Sequence, residues 1–239
     1  MTSKARLFYP DKLKTGIISK LSEKQSHYAK NVMRLRIGDK FSFFNSKYGE
    51  WDASIINHGK IQTEFKVEKL SRPSNDEKNL WLAFSLIKKV PQDMMIQKAT
   101  ELGIQKFIPL LCERCVVREI NINRAEKIIT EASEQSNRIS VPKITDKQNL
   151  IDFINNFPKD GCIVFCDINS NSNNLKNKIL KKSPVCILIG PEGDFSEKER
   201  QLIKGNEKTI TMSLAKNILR AETAAISATT ILSYNLDNN

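Results

Sequence analysis

The chain has no apolar run long enough to cross a membrane, and its first residues, MTSKARLFYPDKLK, lack the apolar stretch that opens a secreted protein. Together these absences lead to the expectation of a cytoplasmic, soluble protein. Histidine is nearly missing. His27 and His58 stand apart with no nucleophile motif beside either, which excludes a histidine-based hydrolase and leaves them to cap or pack. The five cysteines, Cys112, Cys115, Cys162, Cys166 and Cys186, are odd in number and lie mostly in apolar runs, as buried thiols in a reducing compartment would. A chain of 239 residues buries enough core to need no disulfide framework. The spacings Cys112-x-x-Cys115 and Cys162-x-x-x-Cys166 loosely resemble a zinc site, but both sit in strand-like segments and no metal is expected. There is no internal repeat.

Charge is present in one sign above all. The formal net charge is +11, and residues 1 to 73 carry 15 basic against 7 acidic side chains. Positive charge concentrated in the first third attracts a polyphosphate backbone by counterion release and steering.

The pattern along the chain changes near residue 73. Before it, KFSFFN, WDASII and EFKVEKL cluster β-forming residues between Gly38, Gly49 and Gly59, which predicts a small β-rich domain over 1–73. SRPSNDEKN (71–79) reads as a linker. From there to 239, apolar strands alternate with amphipathic helices: WLAFSLI then QDMMIQKATELG; KFIPLL then NRAEKIITEASEQSNR; GCIVFCD then NNLKNKILKK; VCILIG then SEKERQLIKG; TITMSL then ILRAETAAISATTILSY. Such alternation predicts an α/β domain with a mostly parallel sheet. Ser196 and Glu199 have capping-box spacing, and Gly103 closes the helix containing Lys98 and Glu101. The Asn-rich tracts at 169–174 and at the C-terminus read as loop and tail.

Ligands collect at the carboxyl ends of strands in an open parallel sheet. Three such ends are chemically unusual: CIVFCD ending at Asp167, ILIGPEGDF around Gly190, and TITMSLAKN leading to Ile218. They are expected to share one site. The loop GPEGDFS is not a phosphate cradle. It lacks the Lys-Ser/Thr pair of a P-loop and the third glycine of a dinucleotide fingerprint. Glu192 and Asp194 would repel a pyrophosphate but suit a neutral or cationic ligand.

IGPEGDFS and LRAETA (219–224), with K98ATELGIQKFIPL, E131ASEQSNRISVP, RLF (6–8) and H27YAKNVMRLRIGDKF, resemble the RsmE family of ribosomal RNA uridine-N3 methyltransferases, members of the SPOUT class. The resemblance spans the chain, and the six segments occur in the family's order. It implies a PUA-like RNA-binding β-barrel over 1–73 and a SPOUT methyltransferase domain over 74–239, whose last strand and helix thread a loop to make a trefoil knot. It also implies S-adenosylmethionine as cofactor, a homodimer, and 16S rRNA of the small ribosomal subunit as substrate. Asp167, Ile189, Gly190, Pro191, Gly193, Met212, Leu214, Ile218 and Leu219 would hold the cofactor, with Pro191 stiffening the turn. The family most often has glycine where Asp194 stands, and commonly Gly and Arg where Ala215 and Asn217 stand.

Methylation of uridine N3 removes an imide proton and lines the nitrogen up with a sulfonium methyl. Arg220 is the candidate for stabilising the imidate, and Glu192, then Glu222, for taking the proton. Arg6, Lys30, Arg34 and Arg36, extended by Arg114 and Arg138, are candidates for gripping RNA phosphates, with Phe8 or Tyr9 available to stack or to pack. The competing expectation is a non-catalytic RNA-binding or ribosome-assembly protein whose cofactor loop has drifted. A SPOUT enzyme acting on another RNA would share the cofactor and differ in the nucleotide modified.

Overall fold

The structure is a computed structural model and describes residues 5 to 74, 78 to 170, 179 and 181 to 237. Two compact units divide the chain. One holds the residues up to 76 together with Ser133–Val141, and the other holds 77 to 132 with Pro142–Asn239. The helix expected over NNLKNKILKK, the Asn-rich tract at 171–174 and the last two residues lie wholly or mostly outside the described residues, as does the centre of the linker.

The first unit is the β-rich one. Strands β1 (Arg6–Phe8), β2 (Ile18–Lys20), β3 (Lys40–Asn45), β4 (Gly49–His58) and β5 (Thr63–Arg72) form a sheet in the order β1-β3-β4-β5-β2. Among the described residues of this sheet only the β1–β3 pair is parallel. The β3–β4 turn is set by Asn45, whose side-chain oxygen accepts the N–H of Lys47 and Tyr48, and by Gly49 at φ +80°. A Cβ on Gly49 would lie 2.3 Å from the carbonyl oxygen of Arg72, so the position admits glycine alone. Phe41, Phe43, Phe65, Leu7, Tyr9 and Val67 make the core, with the Phe43 and Phe65 rings 4.4 Å apart between centroids. Tyr9 is thus a packing residue.

Strand β3 is buried at five of its six positions and shows no polar face. Its second face is covered by an ionic cluster. The guanidinium of Arg6 lies 4.4 Å from the centroid of the Phe44 ring, pairs with Glu50 at 3.2 Å, and donates to the carbonyls of Glu134 (3.0 Å) and Arg138 (2.5 Å). Arg72 completes the cluster through Glu50 and the Asn137 carbonyl. Burial pushes the Glu50 carboxyl upward, but hydrogen bonds from Arg6 and then Arg72 outweigh it and hold the group below the usual carboxylate range. Helix α1 (Glu23–His27) starts with a Ser22/Gln25 capping box, runs on as a wider turn over Tyr28–Val32, and closes with Arg34 at φ 54°.

The second unit holds seven strands, all parallel where they pair: β6 (Leu80–Ser85), β7 (Lys106–Leu111), β8 (Lys143–Ile144), β9 (Gln148–Asn149), β10 (Cys162–Cys166), β11 (Val185–Ile189) and β12 (Thr209–Met212). Their order is β12-β10-β11-β6-β7-β8, with β9 also on β7. The five apolar segments read from the sequence are β6, β7, β10, β11 and β12. Strands β8 and β9 are two residues each, too short to leave a period. The described helices are α2 (Lys89–Glu101), α3 (Ile122–Gln135), α4 (Leu150–Asn155), α5 (Glu197–Gly205) and α6 (Ala221–Asp237). Ala221, Ala225, Ala228, Thr229 and Leu232 form one stripe of α6, which packs on α2 and β11. Gly103, at φ +106°, follows α2 as expected.

Because the Arg6 side chain is nine-tenths buried and its donors are occupied, Arg6→Ala should lower the unfolding free energy by about 2 kcal/mol, Arg72 still neutralising Glu50. Urea denaturation reads this directly. Unchanged stability with weakened RNA binding would return Arg6 to the RNA surface.

Candidate functional site

The three unusual strand ends meet in the second unit. Phe165 on β10 is level with Leu188 on β11, and Cys166 is level with Met212 on β12. The Asp167 N–H donates to the Met212 carbonyl at 2.9 Å. The segment after Asp167, the loop 190–196 and the segment 213–220 therefore leave the sheet side by side.

Asp167 organises this end. Its carboxylate has no exposed surface and pairs with Arg200 at 2.8 Å and Lys204 at 2.7 Å, two residues four apart on α5. Burial raises the carboxyl's pKa, while hydrogen bonds from Lys204 and then Arg200 lower it by more, so it lies below its ordinary value. Expected as a cofactor ligand, Asp167 instead spends its side chain on the wall of the site, fixing α5 to the end of β10. Arg200 also pairs with Asp194 in the loop.

Loop 190–196 is tightly determined. The Pro191 carbonyl accepts the Asp194 N–H at 2.9 Å, and Asp194 sits at φ 60°. Aspartate tolerates this left-handed conformation better than most residues, and here its carboxylate also accepts the Phe195 N–H at 2.7 Å. The aspartate thus does locally what a glycine would do by lacking a Cβ. Gly190 has a different reason from the one expected. A Cβ there would lie 2.9 Å from the Phe195 ring, which is buried and packed edge-on against Phe165. The glycine makes room for Phe195. Gly193 would accept a Cβ at an ordinary 3.6 Å from Arg114.

The loop is stitched to the neighbouring strand ends. The Glu199 carboxylate accepts the Ser196 N–H, completing the expected capping box, and its other oxygen accepts the Glu113 N–H at 2.8 Å. Arg114 donates to the Gly193 carbonyl at 3.2 Å. Glu192 is exposed, with an oxygen 3.5 Å from the Lys88 N–H.

Of the other expected site residues, Ile189, Pro191 and Met212 are buried, Leu214 and Leu219 are half-buried, and Ile218 is 88% exposed. Arg220 is exposed immediately before α6, its carbonyl accepting the Ala224 N–H, and Glu222 is half-buried in the first turn. Arg114 is exposed. In the first unit Lys30, Arg34 and Arg36 are exposed, whereas Arg138 is buried and donates to Ser140. A cavity of about 720 Å³ lies elsewhere on the second unit, lined by Ile87, Lys89, Gln92, Asp93 and Arg124 among others, and holds none of the expected residues. Among the described residues no cluster of His, Cys, Asp and Glu is arranged to hold a metal ion, and no helix is long and apolar enough to cross a membrane.

What the sequence did not reveal is the support: Arg200, Lys204, and the bond from the Glu113 N–H to Glu199. Four-residue spacing of Arg200 and Lys204 was visible on the predicted helix, but nothing in it pointed to Asp167.

Residues 74–233 match the family model of the RNA methyltransferase domain, and 21–68 match that of the RNA methyltransferase PUA domain. Ribosomal RNA small subunit methyltransferase E of Rickettsia conorii is 34% identical over 87% of this chain and 85% of its own. The protein of the same name from the Buchnera aphidicola of Acyrthosiphon pisum is 31% identical over 95% and 92%. The crystal structure of ribosomal RNA small subunit methyltransferase E from Neisseria gonorrhoeae, bound to S-adenosyl methionine, superimposes with a TM-score of 0.89 at 25% identity, covering 97% of both chains. The chain belongs to the ribosomal RNA small subunit methyltransferase E family.

Asp167→Asn should cost about 1–2 kcal/mol at neutral pH by taking the carboxylate from Arg200 and Lys204, Arg200 keeping Asp194 and Lys204 reaching solvent. Since the folded-state pKa is depressed, this stabilisation is full above the ordinary carboxylate range and is lost as pH falls through the folded value. The gap between wild-type and variant stabilities should therefore begin to shrink at about pH 4 and close only below the folded-state value. Thermal melts across pH 2 to 7 check this; a constant gap would contradict it. Gly190→Ala should cost roughly 1–3 kcal/mol by pushing on Phe195, measured by chemical denaturation of the cofactor-free protein.

Proposed function

We propose that this protein methylates N3 of a uridine in 16S rRNA of the small ribosomal subunit, with S-adenosylmethionine as methyl donor. The observation that carries the reading is the in-register pairing of β10 with β11 on one side and β12 on the other, from which the 190–193 loop and the 212–220 segment leave the sheet on either side of the β10 end. The donor set there fits such a cofactor. Ile218, Leu214 and Leu219 offer apolar surface for an adenine, loop backbone offers carbonyl and N–H groups, and Glu192 and Asp194 leave a positive charge unopposed. Arg200, the cation nearest the loop's acidic residue, is committed to Asp167 and Asp194 and is not offered to a phosphate.

In this reading Ile189, Gly190, Pro191, Gly193, Met212, Leu214, Ile218 and Leu219 form the cofactor pocket. The cofactor supplies an electrophilic methyl group. Arg220, exposed at the mouth of α6, holds the base oxygens and stabilises the imidate, while Glu192 or Glu222 accepts the N3 proton. The target uridine reaches the site only when single-stranded or extruded. Lys30, Arg34 and Arg36 grip flanking phosphates from the 1–73 domain, where exposed Tyr28, Val32 and Ile37 interleave with them, and Arg114 adds a contact on the 74–239 domain.

The knot of the SPOUT class belongs to the same proposal, supported by the way the chain leaves β11, passes through α5 and returns at the far side of β10. So does the homodimer: α2 and α6 pack together and expose Val90, Met94, Ile231 and Tyr234, apolar surface suited to a second copy. A cytoplasmic location follows from the substrate. The drifted-loop alternative loses ground at Asp194, whose conformation and hydrogen bonds keep the loop closed.

Labelled S-adenosylmethionine with unmethylated small subunits, followed by mass-spectrometric mapping, tests the reading: label on N3 of one uridine supports it, and label on another base discards the substrate while keeping the enzyme. Arg220→Ala should reduce transfer about 100-fold while cofactor affinity changes little. An equal fall in both would make Arg220 structural.

A further inference from the structure

Three of the five thiols are inert by burial, which pushes Cys162 up to about 11 and Cys166 to about 12 and raises Cys186 still further. The other two form a pair. Cys112, Glu113, Arg114 and Cys115 make a β-turn after β7, closed by the Cys115 N–H donating to the Cys112 carbonyl at 3.2 Å. Ends of a turn so closed lie within the Cα separation that a disulfide spans. The Cys115 sulfur lies over the start of the turn, 3.9 Å from the Leu110 carbonyl. The Cys112 N–H approaches the Cys115 sulfur at 3.4 Å, and Ser85 Oγ lies 3.1 Å from the Cys112 sulfur.

Cys115 is the more acidic partner. The hydrogen bond from the Cys112 thiol outweighs burial, and the Cys112 and Leu86 N–H groups and the charge of Arg118 assist, bringing Cys115 down to about 6. The same contact and burial push Cys112 up. Both residues are buried, Cys115 less completely, at 7% exposed against 2% for Cys112.

The two residues between the cysteines are those that hold the 190–199 segment: the Glu113 N–H binds Glu199, and Arg114 binds the Gly193 carbonyl. We propose that Cys112 and Cys115 are an oxidative modification site for small hydroperoxides, and that their disulfide loosens the 190–196 loop and with it the cofactor pocket. The functional half rests on the cofactor reading above. The Cys115 thiolate attacks one peroxide oxygen, the O–O bond breaks, and the departing hydroxide takes a proton to become water. The Cys112 thiol then attacks the resulting sulfenic sulfur, an S–S bond forms, and the expelled hydroxide carries off the Cys112 proton as a second water. Two thiols are oxidised and one peroxide is reduced. Drawing the sulfurs to about 2.05 Å re-aims the turn and takes the Cys112 sulfur from Ser85.

The full-length protein is treated with hydrogen peroxide, alkylated under denaturing conditions and digested. The expected result is loss of two of the five free thiols as an internal Cys112–Cys115 link, a roughly tenfold fall in S-adenosylmethionine affinity by calorimetry, and recovery with dithiothreitol. Cys112→Ser and Cys115→Ser should each abolish link and response. Hydrogen exchange at the amides of Asp194 and Phe195 should quicken on oxidation, a readout that needs no cofactor. Linkage elsewhere, or a link with unchanged exchange at those amides, overturns the proposal. Failure of the reduced protein to bind cofactor would sink the cofactor reading alone, because thiol count and exchange still decide the switch.

Discussion

A carboxylate with no exposed surface governs the end of the sheet. Asp167 costs desolvation energy, which only its two cations and the N–H of Asn169 offset, so its neighbours are held wherever those bonds can be made. Arg200 is the branching point. With one nitrogen on Asp167 and another on Asp194, it makes the position of the loop depend on the position of α5. The capping box then ties the start of α5 to the same loop, and Glu199 extends the tie to β7. A pocket of backbone loops gets its rigidity from this chain of charged bonds behind it.

The first unit uses the same device for a different end. Glu50 is the buried charge there, and Arg6 and Arg72 are its partners, with carbonyls of 134, 137 and 138 taking the remaining donors. This explains why β3 can be buried on both faces in a small sheet: Phe44 is roofed by the Arg6 guanidinium. It also divides the basic charge of the first third into two kinds. Arg6 and Arg72 hold the fold, and Lys30, Arg34 and Arg36 remain exposed on the surface.

Strand and helix segments were legible because apolar period is a local property, and the turn signals at Gly103 and Ser196/Glu199 are local too. The convergence of the Asp167, Gly190 and Ile218 segments was legible because a parallel sheet gathers its strand ends by topology. Contacts that leave no period stayed hidden. Arg200 follows Asp167 by 33 residues, Glu50 follows Arg6 by 44, and Glu113 precedes Glu199 by 86. Sequence alone made the Asp167 side chain a ligand and Arg6 and Arg138 RNA contacts. In each case the residue type was informative, but the side chain's partners were not legible from it.

The position of Asp194 shows how a departure from a family pattern can preserve geometry. Glycine reaches φ near 60° without cost, whereas an L-residue incurs strain unless its side chain compensates. Asp194 compensates twice, by accepting the Phe195 N–H and by pairing with Arg200. The second bond gives this loop an ionic link to Asp167 that glycine could not make. A loop stiffened in this way transmits a displacement at one attachment to the others instead of absorbing it. Arg114 and Glu113 are such attachments, and both stand between the two cysteines whose spacing a disulfide would change.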